Sequence, residues 1–135
     1  MYLCIDLKSF YASVEAVERG LDPFKAPLVV ADASRGGAIC LSITPALKAL
    51  GVRNRCRLFE IPDNIEYIAA KPRMKKYMEY SADIYSEYLK YISPEDIYVY
   101  SIDECFFNIT PYFSMYGNTK SKRFLFIRIS ITLIL

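Results

Sequence analysis

Histidine is absent and cysteine is limited to four thiols, Cys4, Cys40, Cys56 and Cys105. None stands in Cys-x-x-Cys spacing, so the chain reads neither as a zinc module nor as a disulfide scaffold, but as a protein with buried thiols in a reducing compartment. It also lacks a basic leader followed by a long apolar stretch, which argues against secretion. The β-prone run at the far end, from Ser121 onward, is too short, and too charged at Arg128, to cross a bilayer. Up to Thr110 there are no internal repeats and no low-complexity tract. These absences describe a soluble cytoplasmic protein with no membrane partner.

Large net charge is missing too: the 135 residues sum to +2. The charges are nevertheless unevenly spread. Asp32 to Lys76 carries nine Lys/Arg against four Asp/Glu, and Tyr77 to Thr110 carries one against seven. Such blocks are either solvated surface or a basic lobe beside an acidic cation site, the combination a polyanion would require. Apolar residues make up 53% of the chain, enough for a core in one domain or a little more.

The pattern along the chain alternates strand and helix. Tyr2 to Ile5 is an apolar strand ending at Asp6, after which Ser9 can cap a helix whose Phe10, Val14 and Val17 share a face, with Gly20 as the stop. Leu28 to Ala31 and Ala38 to Ser42 read as strands around the turn Ser34-Arg35-Gly36-Gly37. Thr44-Pro45 opens a short helix that Gly51 closes. Ile65 to Ala69 reads as a strand. Pro72 begins a long helix in which Met74, Met78, Ala82, Tyr85, Leu89 and Ile92 recur at helical spacing and are expected to face the core. Ile97 to Ile102 and Cys105 to Ile109 form a hairpin across Asp103-Glu104.

Asp6 and Asp103-Glu104 carry the chemistry. Each places acid where an apolar strand ends, and ionised carboxylates need compensation there, so two such ends suggest one divalent-metal site assembled by the fold. Hard oxygen donors suit Mg²⁺, and paired ions on carboxylates suit phosphoryl transfer.

The run Asp6-x-x-x-Phe10-Tyr11-Ala12-Ser13-Val14-Glu15, followed downstream by Ser101-Ile102-Asp103-Glu104, resembles the catalytic palm of the Y-family translesion DNA polymerases, in the UmuC-like ImpB/MucB/SamB branch. Leu21-Asp22-Pro23, Leu28 to Ala31, Pro45-Ala46-Leu47-Lys48-Ala49-Leu50-Gly51-Val52 and Arg57-Leu58-Phe59-Glu60-Ile61-Pro62 follow in the family's order. The likeness covers residues 1–117. It implies an α/β (α+β) fold, an incomplete ferredoxin-like palm (1–10 and 77–117) with an inserted small fingers subdomain (11–76), and an atypical tail over 118–135.

The same resemblance implies a DNA-directed DNA polymerase acting in lesion bypass, DNA repair and the SOS response. Asp6, Asp103, Glu104 and the Leu7 carbonyl would hold two Mg²⁺ ions, for which Mn²⁺ can substitute. Lys8, Ser9, Phe10 and Tyr11 turn into a helix whose free N–H groups suit phosphate. Tyr11 aligns with the family's steric gate against the sugar 2′ position; its plainer role is packing on the helix. Lys48 sits where the family places a triphosphate-binding cation, and is otherwise a surface lysine. Pro45 stands where some relatives have a phosphate-touching tyrosine, so that hydroxyl is missing.

Arg35, Ile39, Leu41 and Ser42 fall where fingers residues cover the nascent base pair. Arg53, Arg55 and Arg57 would reach template phosphate if alternate residues shared a strand face, or are solvated surface. The implied partners are primer-template DNA, deoxynucleoside triphosphates and, for full-length family members, a sliding clamp. From about Lys120 the β-prone tail is expected to match no family segment; it either pairs as a strand, packs against the sheet, or is foreign to the rest of the chain, the mark of a truncated or frameshifted frame or a degenerate gene. The alternative to an enzyme is a non-catalytic remnant that binds nucleotide, metal or a protein. A nucleotide cyclase is disfavoured, since it would need neither Tyr11 nor the Ser101-Ile102-Asp103-Glu104 signature.

Overall fold

The computed structural model describes residues 1–112 and the strand Leu125–Ile127. In chain order the elements are β1 (Tyr2–Asp6), α1 (Phe10–Glu18), β2 (Leu28–Val30), β3 (Ser42–Ile43), α2 (Pro45–Ala49), β4 (Ile68–Ala70), α3 (Met74–Tyr88), β5 (Ile97–Ser101), β6 (Glu104–Asn108) and β7 (Leu125–Ile127). The fold is mixed α+β. It divides into two compact units, one made of Met1–Lys8 with the described part of Met78–Thr132, the other of Ser9–Tyr77. Among the described residues no helix is long and apolar enough to cross a membrane.

The first unit is a sheet of order β5-β6-β1-β7. β1 runs antiparallel to β6, with Cys4 opposite Phe106 and Asp6 opposite Glu104. Because side chains alternate along a strand, Cys4, Asp6, Glu104 and Phe106 share one face, while Ile5, Cys105 and Phe107 share the other. All three residues of the latter face are buried, and the Tyr88 ring of α3 meets Phe107 edge-on at 5.0 Å; on the former, Cys4 is buried while Asp6, Glu104 and Phe106 are half-buried. β7 pairs parallel to β1 from Leu3↔Leu125 to Ile5↔Ile127. Part of the tail thus pairs as a strand; the rest lies outside the described residues.

The second unit has a sheet of order β3-β2-β4. Its core joins Val29, Ala31, Cys40, Ile43, Leu47, Val52, Cys56 and Ile61. Thr44, fully buried, caps α2 by accepting from the Leu47 N–H, also accepts from the Leu28 N–H, and donates to the Ala26 carbonyl. Gly51 takes the left-handed φ of 90° just past that helix, where a Cβ would be strained. All four cysteines are buried free thiols.

Three expectations need correction. The expected apolar stripe is not the buried side of α3: Met74, Met78, Ala82 and Leu89 are exposed and Tyr85 and Ile92 half-buried, while Tyr77 and Ile84 are buried. Two stripes of the same helical period run along α3, and periodicity does not choose between them; Tyr77 of the other stripe is buried with its hydroxyl partnered. Ala38 to Ser42 is not one strand, because Ile39 forms an isolated bridge to Arg57 and the β3 ladder begins at Ser42. Arg53 and Arg55 lie in a loop that turns at Arg55, with φ 59°, so strand alternation does not govern them.

A buried carboxylate organises the second unit. The side chain of Glu15 is fully inaccessible and accepts from Arg73 twice, Nε and Nη2 both at 2.9 Å, from Tyr77 Oη at 2.8 Å and from Arg19. Burial alone would raise its carboxyl, but the bonds from Arg73, Arg19 and Tyr77 outweigh that and hold it below the ordinary carboxylate range. Arg73 and Lys76 also pair with Glu18 nearby. Since the folded-state pKa is lowered, the stabilisation is complete above the unfolded value near 4.5 and is lost as pH falls through the folded value. Denaturant melts should therefore show wild type losing stability below about pH 4.5 more steeply than Glu15→Gln, which at neutral pH is weaker by about 2 kcal/mol because its arginines lose their charged acceptor.

Candidate active site

In the first unit the acidic residues collect at one end of the sheet. Asp6 and Glu104 are cross-strand partners, and the intervening turn brings Asp103 beside them: the Leu7 N–H donates to the Asp103 carbonyl at 2.8 Å. Two further bonds fix the turn. Ser81 Oγ of α3 donates to the Ile102 carbonyl at 2.6 Å, and Ser101 Oγ donates to Asp103 Oδ1 at 2.9 Å. Ser81 was not anticipated; its signal is a hydroxyl one turn from Tyr77 and Ile84 on α3, visible only once the buried side of that helix is known.

The Cys4 thiol donates to Glu104 Oε1 at 3.5 Å. Burial, then the hydrogen bond and negative charge of Glu104, then Asp6, push the thiol up to about 11. The donor set is carboxylate oxygen with the Leu7 main-chain carbonyl next in the chain to Asp6, which fits Mg²⁺ chemically. Among the described residues, however, no three Asp, Glu, Cys or His side chains converge tightly enough to hold a metal ion. Asp6 and Glu104 share a face; Asp103 turns to the Ser101 hydroxyl.

Lys8 and Ser9 form the turn into α1, and Ser9 occupies the cap position with φ 56° and no side-chain capping bond. Its hydroxyl instead accepts from Lys48 Nζ at 2.8 Å, a bond that joins the start of α1 to α2. Phe10 is buried, and Tyr11 stacks on the buried Tyr77 ring with centroids 4.6 Å apart and planes 15° from parallel. The sequence names Ser9, Tyr11 and Lys48 as candidates but does not reveal Tyr77 behind the Tyr11 ring or Glu15 on the Tyr77 hydroxyl.

The expected fingers contacts separate. Ile39 and Leu41 are exposed. Ser42 is buried, its hydroxyl accepting from the Ala12 N–H at 3.3 Å, so it joins β3 to α1. Arg35 is exposed beside Asp32 at 3.6 Å. Arg53 and Arg55 are exposed in their loop, while Arg57 donates to the Gly37 carbonyl at 2.8 Å.

Residues 5–131 match the family described as impB/mucB/samB. The chain belongs to that family. The match runs past residue 117 and takes in β7, which corrects the expectation that the likeness stops before the tail. This impB/mucB/samB chain is 40% identical over 103 residues to YozK, a DNA repair protein homolog of Bacillus subtilis strain 168, covering 75% of this chain and 90% of that relative. It is 41% identical over 106 residues to UvrX of the same organism, and 34% identical over 117 residues to its DNA polymerase IV 2. These alignments cover 77% and 84% of this chain but only 26% and 27% of the two relatives. Of solved structures, it superposes on the insertion ternary complex of Dbh DNA polymerase with TM-score 0.69 at 24% identity, and on a Y-family polymerase chimera with TM-score 0.67 at 25% identity. Both superpositions cover 87% of this chain and 33% of the polymerase, so the chain spans about a third of the solved enzymes.

The double anchoring of the Ile102-Asp103 turn is testable without ligand. Ser81→Ala should cost about 1 kcal/mol and speed hydrogen exchange at the Leu7 amide by roughly fivefold. Unchanged exchange there would mean that Ser81 does not support the turn.

Proposed function

We propose that this chain is the metal- and nucleotide-binding part of a cytoplasmic DNA-directed DNA polymerase that acts in lesion bypass. Residues 1–10 with 77–117 serve as the palm and 11–76 as the fingers. The observation that carries this reading is the register of β1 on β6, which sets Asp6 opposite Glu104 and Asp103 beside them at one sheet end. Family membership and the likeness to Y-family polymerases supply the reaction class.

Asp6, Asp103, Glu104 and the Leu7 carbonyl would hold two Mg²⁺ ions, which when bound neutralise triphosphate charge and acidify the primer 3′-hydroxyl. The protein's own share is positioning. Lys48 brings a cation to the Ser9 hydroxyl at the start of α1, where the first-turn backbone N–H groups and the helix dipole also favour phosphate oxygens. Tyr11, held face-on by Tyr77, would stand against the sugar and exclude a 2′-hydroxyl. Exposed Ile39 and Leu41 would cover the nascent base pair, and Arg35, Arg53 and Arg55 would approach template phosphate. Ser42 is left out because its hydroxyl is taken inside the fold.

A second reading, nucleotide binding without catalysis, draws on the turned-aside Asp103 carboxylate. Calorimetry separates the two. The polymerase reading expects Mg²⁺ to tighten dATP binding about tenfold or more, and Asp103→Ala to abolish most of that gain, because converging carboxylates repel until cations join them. Nucleotide binding that ignores both metal and Asp103 would leave only the non-catalytic reading. On the sugar side, Tyr11→Ala should reduce the preference for dATP over ATP by about tenfold or more. An unaltered preference would remove Tyr11 from the gate.

A further inference from the structure

Tyr11 and Glu15 are one helical turn apart on α1, as Arg73 and Tyr77 are across the start of α3. Tyr77 links the two α1 residues: its ring backs Tyr11 at 4.6 Å, and its hydroxyl is held by Glu15 Oε1 at 2.8 Å. Glu15 is itself fixed by the two-point grip of Arg73 and by Arg19. A buried ion pair adds little net stability compared with apolar packing of the same volume. What it adds here is direction, since bonds to both carboxylate oxygens leave Glu15 a single orientation and Tyr77 a single ring position.

Resting on the reading of Tyr11 as the sugar gate, we infer that Glu15 is a positioning residue for that gate. Acting through Tyr77, it sets where the Tyr11 ring stands and therefore how sharply the sugar 2′ position is read. Stacked rings slide easily past one another, as offset geometries differ little in energy. Without the anchored hydroxyl the Tyr77 platform can shift, and a gate that works by contact loses discrimination when its wall moves by a fraction of an ångström.

The test measures equilibrium binding of dATP and ATP, each with Mg²⁺, to the whole chain and its variants, with thermal unfolding in parallel. Tyr77→Phe keeps the ring and deletes the bond to Glu15. It should lower the dATP-to-ATP affinity ratio by about three- to tenfold while dATP affinity stays within about twofold. Glu15→Gln should move the ratio in the same direction; should it fail to fold, Tyr77→Phe decides alone. A lower melting temperature with the wild-type ratio retained in Tyr77→Phe, while Tyr11→Ala lowers the ratio, overturns the positioning role and leaves the gate standing. A ratio that Tyr11→Ala also fails to change, or no binding of dATP by wild type, overturns the gate and the inference together.

Discussion

The register of β1 against β6 is the constraint on which the candidate site depends. Antiparallel pairing at Asp6↔Glu104 puts two carboxylates on the same face, with Phe107 and Cys105 buried on the other. A slip of one residue would turn Asp6 toward the core face and Ile5 outward, at the cost of burying a charge and exposing an apolar side chain. The apolar pattern of both strands therefore fixes the acidic end. The Leu7 to Asp103 and Ser81 to Ile102 bonds then locate the turn that carries the third acid.

Two kinds of carboxylate are separated by their partners. Glu15 is saturated by two arginines and a phenol, so its charge is compensated within the fold and serves packing and orientation. Asp103 and Glu104 accept from a hydroxyl and a thiol, neutral donors that leave the charge largely in place. Burial first, and then the neighbouring Glu104 and Asp6, raise the Cys4 thiol. Added cations would be drawn to the second kind and not the first.

Much of this was legible in the sequence. Acid at the ends of apolar strands located Asp6 and the Asp103-Glu104 turn, and the Thr44-Pro45 to Gly51 pattern marked α2 with its cap. Pairwise tertiary features were not legible. The buried side of α3 shares its period with an exposed methionine stripe, so only packing could choose between them. Glu15 belongs to the run that carries the resemblance, but nothing in the sequence pairs it with Arg73, 58 residues further on. Ser9 had the composition of a cap, yet it takes a left-handed backbone and its hydroxyl goes to Lys48. Arg53 and Arg55 had no strand to alternate on because their segment is a loop.

The central claim is that the acidic end of β1 and β6 takes up a divalent cation together with a nucleotide. The most direct measurement is paramagnetic broadening of backbone amide resonances on titrating Mn²⁺ in the presence of dATP. Selective loss of the signals of Asp6, Leu7, Asp103 and Glu104, stronger with dATP than without it and reversed by excess Mg²⁺, is the predicted result. Broadening that ignores dATP, or that spreads over the exposed acids of α3 and spares the β1 and β6 ends, would contradict it.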